Sequence, residues 1–175
     1  MRAGATALAF VAMMWVGLLL SAPLLVTSGF AASPHAVSAH HRDAAGWWLA
    51  ALYHASGLIC HQQVERSFVW SGVPFPVCGR CLALYVAATA GLVGAAAAAW
   101  LAPAWLTWPR TPLGQSGTLR AELTWLLISG SPAALLFVFE WTVADPGTPA
   151  RAVGSLPLGF VVGWLAGREL TGADP

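Results

Sequence analysis

The sequence predicts an all-α integral membrane protein, a four-helix bundle with one extra short interfacial half-helix. Hydrophobic residues make up 58% of the 175 positions and charged residues only 9%, whereas a soluble domain carries about a quarter charged residues. Several apolar segments approach the roughly 20 residues that a helix needs to cross the hydrocarbon core of a bilayer. The ten tryptophans suit a protein that is anchored at two membrane–water interfaces.

Four segments are long and apolar enough to be membrane spans. They lie near residues 5–26, 82–101, 119–143 and 152–167. The first exceeds the apolar core of about 7–15 residues found in a cleaved signal peptide, so we expect it to remain as a helix. The whole chain, residues 1–175, then forms a single membrane domain with both termini on one side. The arginines divide evenly between the two sides and do not determine the orientation.

A glycine ridge marks the last span. Gly159, Gly163 and Gly167 recur every four residues, which places them on one face of a helix and lets a neighbouring helix approach closely. The sequence favours a neighbour within the same chain. A homo-oligomer formed through these glycines is the alternative.

The remaining segments are too short or too polar to span. Residues 46–59 are apolar but short, and Trp47 and Trp48 suit a half-helix that starts in the interface. Residues 60–81 contain glycines and prolines that predict a compact loop. Residues 27–45 contain three histidines, which we interpret as part of a solvated loop in preference to a metal site.

Composition also limits the classes of partner. The chain has no lysine and a net charge of +1, whereas a nucleic-acid surface needs clustered Lys and Arg. The lipid bilayer is therefore the expected partner, and no nucleic acid is expected. The spans are nearly free of charge, which argues against a transporter or channel. A transporter component is accordingly only the third functional hypothesis.

All three cysteines fall within residues 60–81. Cys78 and Cys81 form a C-x-x-C pair, a spacing that directs two sulfurs to one point and suits either a tetrahedral metal or a redox disulfide. Cys60 adds a third sulfur, and His61 follows it directly. A set of three cysteines and one histidine is typical of a zinc site.

Two histidines compete for the fourth position of such a site. His61 can bind beside Cys60 only where the chain is non-helical, since adjacent side chains on a helix diverge by about 100°. His54 lies seven residues before His61, and on a continuous helix the two would share a face. We expect His61 to be the ligand, with His54 as the second choice.

Charged residues near the cysteines are compatible with a buried site. Three thiolates, Zn²⁺ and a neutral histidine sum to a charge of −1, which Arg80 and Arg66 would offset. Arg80 would equally lower the pKa of a neighbouring thiol, so it does not separate a metal site from a redox pair. Inert packing of the cysteines is a further alternative.

Other polar residues have plainer interpretations. Gln62 is expected to cap a helix or bond its neighbour, and Arg66 to pair with Glu65. Glu140, at the end of a span, is expected to extend into the interface. Because Glu140 and Arg151 flank one short turn, a pair between them is also predicted.

The cysteine loop carries a family resemblance. Its residues are Cys60-His61-Gln62, Arg66-Ser67, Pro76, Cys78-Gly79-Arg80-Cys81 and Tyr85. On these residues the sequence resembles the small membrane proteins of bacteria and archaea grouped as domain of unknown function 2085, over residues 52–167 and more weakly within 132–151. Ala83 and Ala87 stand where such proteins tend to have glycine, and Glu140 stands where aspartate is usual. The resemblance implies a membrane bundle, multi-pass in a prokaryotic cell membrane, and offers no established activity.

Two main functional hypotheses follow, and enzyme activity stays open. In the first, Cys60, His61, Cys78 and Cys81 bind a structural zinc ion that fixes the loop to the bundle. In the second, the protein is a membrane thiol–disulfide oxidoreductase in which Cys78 and Cys81 are the redox pair, Cys60 exchanges with them and a quinone accepts the electrons. The layout is similar to that of quinone-linked disulfide-forming enzymes, but their second cysteine pair is missing here. The sequence favours zinc.

Overall fold

The structure, a computed structural model, describes residues 2–28, 47–101 and 116–171. Five α-helices, one 3₁₀ turn and a short hairpin make up this part of the chain. The helices are α1 (Arg2–Thr27), α2 (Trp47–Gly57), α3 (Gly79–Leu101), α4 (Ser116–Thr142) and α5 (Gly147–Thr171). The turn (Val64–Arg66) and the strands β1 (Val69–Trp70) and β2 (Val73–Pro74) lie between α2 and α3.

Four of the described helices are long and apolar enough to cross a membrane. Their apolar segments are Gly4–Thr27, Gly79–Leu101, Leu119–Thr142 and Gly147–Thr171. The helix α2 has 11 residues and is not among them. Within the described residues, this confirms the predicted all-α fold of four long helices with one additional short helix.

The last helix begins five residues before the predicted span at 152, because its first turn is polar but well capped. Asp145 Oδ1 accepts the N–H of Gly147 at 2.7 Å and so satisfies one of the amides that a helix start leaves without a partner. Pro149 is tolerated in the first turn because its missing N–H would have no helical partner there. Hydropathy alone detects neither effect.

The helices α3 and α5 pack with their backbones in contact. A Cβ atom added to Gly163 would overlap the carbonyl oxygen of Ala88, and one added to Gly91 would overlap that of Phe160. All three ridge glycines are buried. The ridge therefore faces α3 of the same chain, which confirms the internal packing that the sequence favours. A homo-oligomer through these glycines stays a prediction.

The alanines Ala83 and Ala87 of α3 do not prevent this close contact. The Cβ of Ala87 lies 3.0 Å from the position that a Cβ on Gly159 would take. Ala83 and Ala87 are both buried. The glycines of α5 and Gly91 of α3 thus provide the close approach although alanine occupies positions 83 and 87.

The loop between α2 and α3 packs where α1 ends and α3 begins. A hydrophobic cluster joins these elements through Leu19, Ala22, Leu49, Leu52, Cys60, Val77 and Leu82. We call this part of the molecule, residues 47–82 with the helix ends that they contact, the cysteine end. It places α2 and the loop on the side of the bundle where the candidate site lies.

Candidate metal centre

Three sulfur atoms converge at the cysteine end. The Sγ atoms of Cys60, Cys78 and Cys81 all lie within 4.8 Å of one another, and all three are free thiols. Cys60 follows α2, Cys78 precedes α3, and Cys81 lies in the first turn of α3. Cys60 is buried, and the other two are partly buried.

The loop returns to the bundle through a tight hairpin. Strands β1 and β2 pair antiparallel, with Val69 opposite Pro74. Ser71 and Gly72 form the turn with φ of 47° and 83°, the double positive φ that matches the twist of a two-residue hairpin. This reversal brings the chain back, so that Cys78 lies beside Cys60.

Backbone amides point at the sulfurs. The N–H of Cys78 donates to Cys60 Sγ at 3.2 Å. The Cys81 thiol donates to Cys78 Sγ and lowers the pKa of Cys78 to about 5, with the amides of Cys81 and Arg80 acting in the same direction against the effect of burial. Such donors stabilise the thiolate, which is the form that binds metals and attacks disulfides.

Neither predicted histidine joins the three sulfurs. His61 and His54 are exposed, and within the described residues the group that could hold a metal ion comprises the cysteines alone. The structure therefore brings together three of the four predicted ligands. The histidines of residues 27–45 lie outside the described residues.

Gln62 has a role that its position two residues after Cys60 did not indicate. Its side-chain Nε2 donates to the carbonyl oxygen of Pro76 at 2.8 Å and also to that of Tyr53. The side chain thus joins α2 to the segment that leads into Cys78. No local sequence pattern identifies this contact, because the partners are 9 and 14 residues away.

Glu140 forms the centre of an arginine–glutamate cluster, which comprises Glu140, Arg66, Arg80, Arg151 and Asp145. Glu140 Oε1 accepts from Arg151 at 2.7 Å and from Arg66 at 3.1 Å, while Oε2 accepts from Arg80 at 2.7 Å. Arg151 also reaches Asp145 at 2.9 Å. The Gly147 amide and Arg151 hold the pKa of Asp145 below its usual range.

These contacts confirm the predicted Glu140–Arg151 pair and correct one other expectation. The side chain of Glu140 is only 9% exposed and faces the arginines, and its place in the membrane interface stays a prediction. Arg66 reaches Glu140, although Glu65 was its expected partner. A single acidic residue at the end of a nearly charge-free span was the sequence feature that could have indicated this role.

Comparison with known proteins identifies a family. A family model described as "Predicted membrane protein" and called domain of unknown function 2085 matches residues 60–165, and the match begins at the first cysteine of the site. Neither a curated protein nor a solved structure matches the chain. Since the family model covers more than half of the 175 residues, the protein belongs to the membrane-protein family of domain of unknown function 2085.

Proposed function

We propose that the three cysteines bind one zinc ion, which holds the loop between α2 and α3 on the bundle. The observation that carries this proposal is that the three sulfurs lie within 4.8 Å of one another. Cys60 comes from one end of the loop, and Cys78 and Cys81 come from the other. In a tetrahedral site with Zn–S bonds of about 2.3 Å, sulfurs lie about 3.8 Å apart. A shift of about 1 Å or less in any pair would therefore bring the sulfurs to zinc-binding separations.

A structural role suits the loop, because it has little regular structure of its own. Between α2 and α3 the chain forms one three-residue turn and two strands of two residues each. A metal bound at both ends of such a segment adds its binding free energy to folding. Zinc would thus add to the hydrophobic cluster through which Cys60 and Val77 already attach the loop to the bundle.

Charge balance favours a divalent ion. Three thiolates and Zn²⁺ carry −1, and the arginine–glutamate cluster, with three arginines against Glu140 and Asp145, carries +1. Arg80 belongs to both regions, since it lies between Cys78 and Cys81 and reaches Glu140. The two groups together are neutral, which reduces the cost of burying either one.

We assign the fourth coordination position to His61. It directly follows Cys60 in a non-helical segment, and its exposed side chain is free to turn towards the sulfurs. His61→Ala should lower zinc affinity by about 10-fold or more without abolishing binding, whereas His54→Ala, the matched exposed histidine, should leave affinity unchanged. Equal affinities of both variants and the natural protein would remove His61 from the site.

The experiment that tests the metal centre is elemental analysis of the purified protein together with a count of free thiols. We expect one zinc ion per chain and protected thiols that become reactive on chelation. Cys78→Ser and Cys81→Ser should each lose the metal and lower the thermal midpoint together, because binding and folding are coupled. Metal-free protein with a Cys78–Cys81 disulfide would overturn the proposal.

The acidity of Cys78 supports a second candidate, a thiol–disulfide oxidoreductase. Cys78 lies immediately before α3, and its pKa is lowered to about 5 by the Cys81 thiol and neighbouring amides, as in reactive cysteine pairs at helix starts. Oxidation of Cys78 and Cys81 to a disulfide would release two electrons and two protons to a quinone. This candidate does not explain why the N–H of Cys78 donates a hydrogen bond to Cys60 Sγ.

Trapping distinguishes the two candidates. In an oxidoreductase, Cys81→Ser would accumulate a mixed disulfide between Cys78 and a substrate thiol, and the natural protein would contain no stoichiometric metal. In a zinc protein the same variant yields free thiols and loses the metal. For either candidate, the location we propose is the cell membrane, with the four long helices crossing it.

A further inference from the structure

The backbone at Gln62 is in a conformation that its residue type rarely adopts. Its φ is 48°, a left-handed value that is unfavourable for a non-glycine residue. Glycine would adopt this conformation freely, but glycine has no side chain. A glutamine at such a position indicates that the side chain itself is required.

The side chain of Gln62 uses both hydrogens of its amide on two separate segments. Nε2 donates to the carbonyl oxygen of Tyr53 in α2 and to that of Pro76, 2.8 Å away, in the segment before α3. Oε1 lies over Gly57, where an added Cβ would approach it to 3.4 Å. Pro76 is fully buried, so its carbonyl oxygen depends on a protein donor.

The contact has a simple relation to the sulfurs. Gln62 lies two residues after Cys60, and Pro76 lies two residues before Cys78. Joining Gln62 to Pro76 therefore holds Cys60 beside Cys78, where the amide of Cys78 donates to Cys60 Sγ at 3.2 Å. This places the sulfurs without requiring a metal ion.

We propose that Gln62 is the positioning residue of the cysteine site, and that its amide holds Cys60 at the C-x-x-C pair before any ligand binds. The inference rests on the proposed metal centre for its purpose, and the contacts that it describes join protein atoms alone. Gln62 would act on a bound metal ion only through the cysteines, because its side-chain N–H groups both donate to carbonyl oxygens.

The test uses metal-free, full-length protein in detergent with Cys81→Ser, which leaves the thiols of Cys60 and Cys78. A short bifunctional thiol reagent measures how often these two sulfurs are close. Gln62→Glu turns two donors into acceptors facing carbonyl oxygens, and it should slow cross-linking by about 10-fold, the lower end of the effect of supporting residues on metal sites. The matched control is Gln63→Glu, the same change at the exposed next residue, which should cross-link at the original rate.

A second variant and a second measurement complete the test. Gln62→Met keeps the length of the side chain without donors, and zinc affinity is measured on all variants with three cysteines. If the Gln62 variants cross-link more slowly and bind zinc with about 10-fold lower affinity, both proposals are supported. If they cross-link more slowly but the natural protein binds no zinc, the positioning role is supported and the metal centre is refuted. Unchanged cross-linking in Gln62→Glu overturns the positioning role, as does loss of cooperative unfolding in both variants, which would show a general structural role.

Discussion

The glycine-lined contact between α3 and α5, here called the seam, is stabilised in a different way from the cysteine end. Along the seam, glycine and alanine leave no space between the helices, and backbone atoms meet directly. At the cysteine end, the loop is attached by an amide–sulfur bond, by the Gln62 amide and by the arginine–glutamate cluster. The seam depends on the small size of its side chains, and the cysteine end depends on the polar atoms of its side chains.

The difference follows from the surroundings of each region. Helices in hydrocarbon satisfy their own backbone groups, so small residues and close packing suffice to join them. An irregular loop leaves backbone donors and acceptors without partners, and side chains must supply them. The seam should therefore be sensitive to added volume and the cysteine end to the loss of a polar atom.

The largest expected effect is that of Glu140→Gln at the cysteine end. Glutamine keeps the shape but leaves three guanidinium groups without their shared carboxylate. Since Arg66 is 44% exposed and Arg80 is 24% exposed, we expect a loss of about 3 kcal/mol, the lower end of the range for breaking a buried ion pair. The thermal midpoint in detergent measures it.

The control for this charge is Glu169→Gln, which removes a carboxylate from an exposed position of α5. Its midpoint should stay close to that of the natural protein, because exposed ion pairs contribute little. Glu140→Asp retains the charge on a shorter side chain and should lie between the two. Equal midpoints for Glu140→Gln and Glu169→Gln would show that the cluster does not hold the loop.

Gly163→Leu tests the seam and should have the next largest effect. The new side chain would meet the backbone of Ala88, which cannot move away as a side chain can, so we expect a loss of about 2–3 kcal/mol, the upper part of the usual range for overpacking. In Gly17→Leu on α1, the added Cβ meets no atom within 4 Å, and stability should be unchanged. Comparable losses in both variants would show that the close contact at Gly163 is not the cause, since leucine has a higher helix propensity than glycine.

Tyr53→Phe removes one hydroxyl and should have the smallest effect. This hydroxyl donates to the carbonyl oxygen of Pro74 at 2.7 Å, and its loss should cost about 1 kcal/mol. Burial raises the pKa of Tyr53 to about 12, above the value of about 10 in the unfolded chain.

The pH dependence of this variant gives a signed test. Because the folded pKa is the higher one, the contribution of the hydroxyl is complete below pH 10 or so and is lost as the pH rises towards 12. The difference between the natural protein and Tyr53→Phe should therefore be constant from neutral pH to about 10 and then shrink. A difference that grows with pH would contradict the assignment of Tyr53 as a donor.

The sequence predicted what depends on composition and short spacing. The long apolar segments predicted the spans, the period of the ridge glycines predicted the seam, and the C-x-x-C pair with Cys60 predicted the sulfur group. It missed the contacts of Gln62 and assigned the wrong partner to Arg66, because the true partners are distant in sequence, up to 74 residues between Arg66 and Glu140. Such contacts arise from the packed bundle, which no local pattern encodes.

The rigid seam has a consequence for the order in which a metal ion would be bound. The glycine contacts prevent α3 from sliding against α5, so the first turn of α3 keeps Cys81 and the adjacent Cys78 at fixed positions. Cys60 belongs to a segment joined to them through side-chain contacts. An arriving ion would meet Cys60 already held beside Cys78 and Cys81, and Cys60 would make the last adjustment, of about 1 Å or less, to the bonding distance, because its segment is the less rigid one. Cys60→Ser should then retain weak, fast-exchanging metal, whereas Cys78→Ser should retain none.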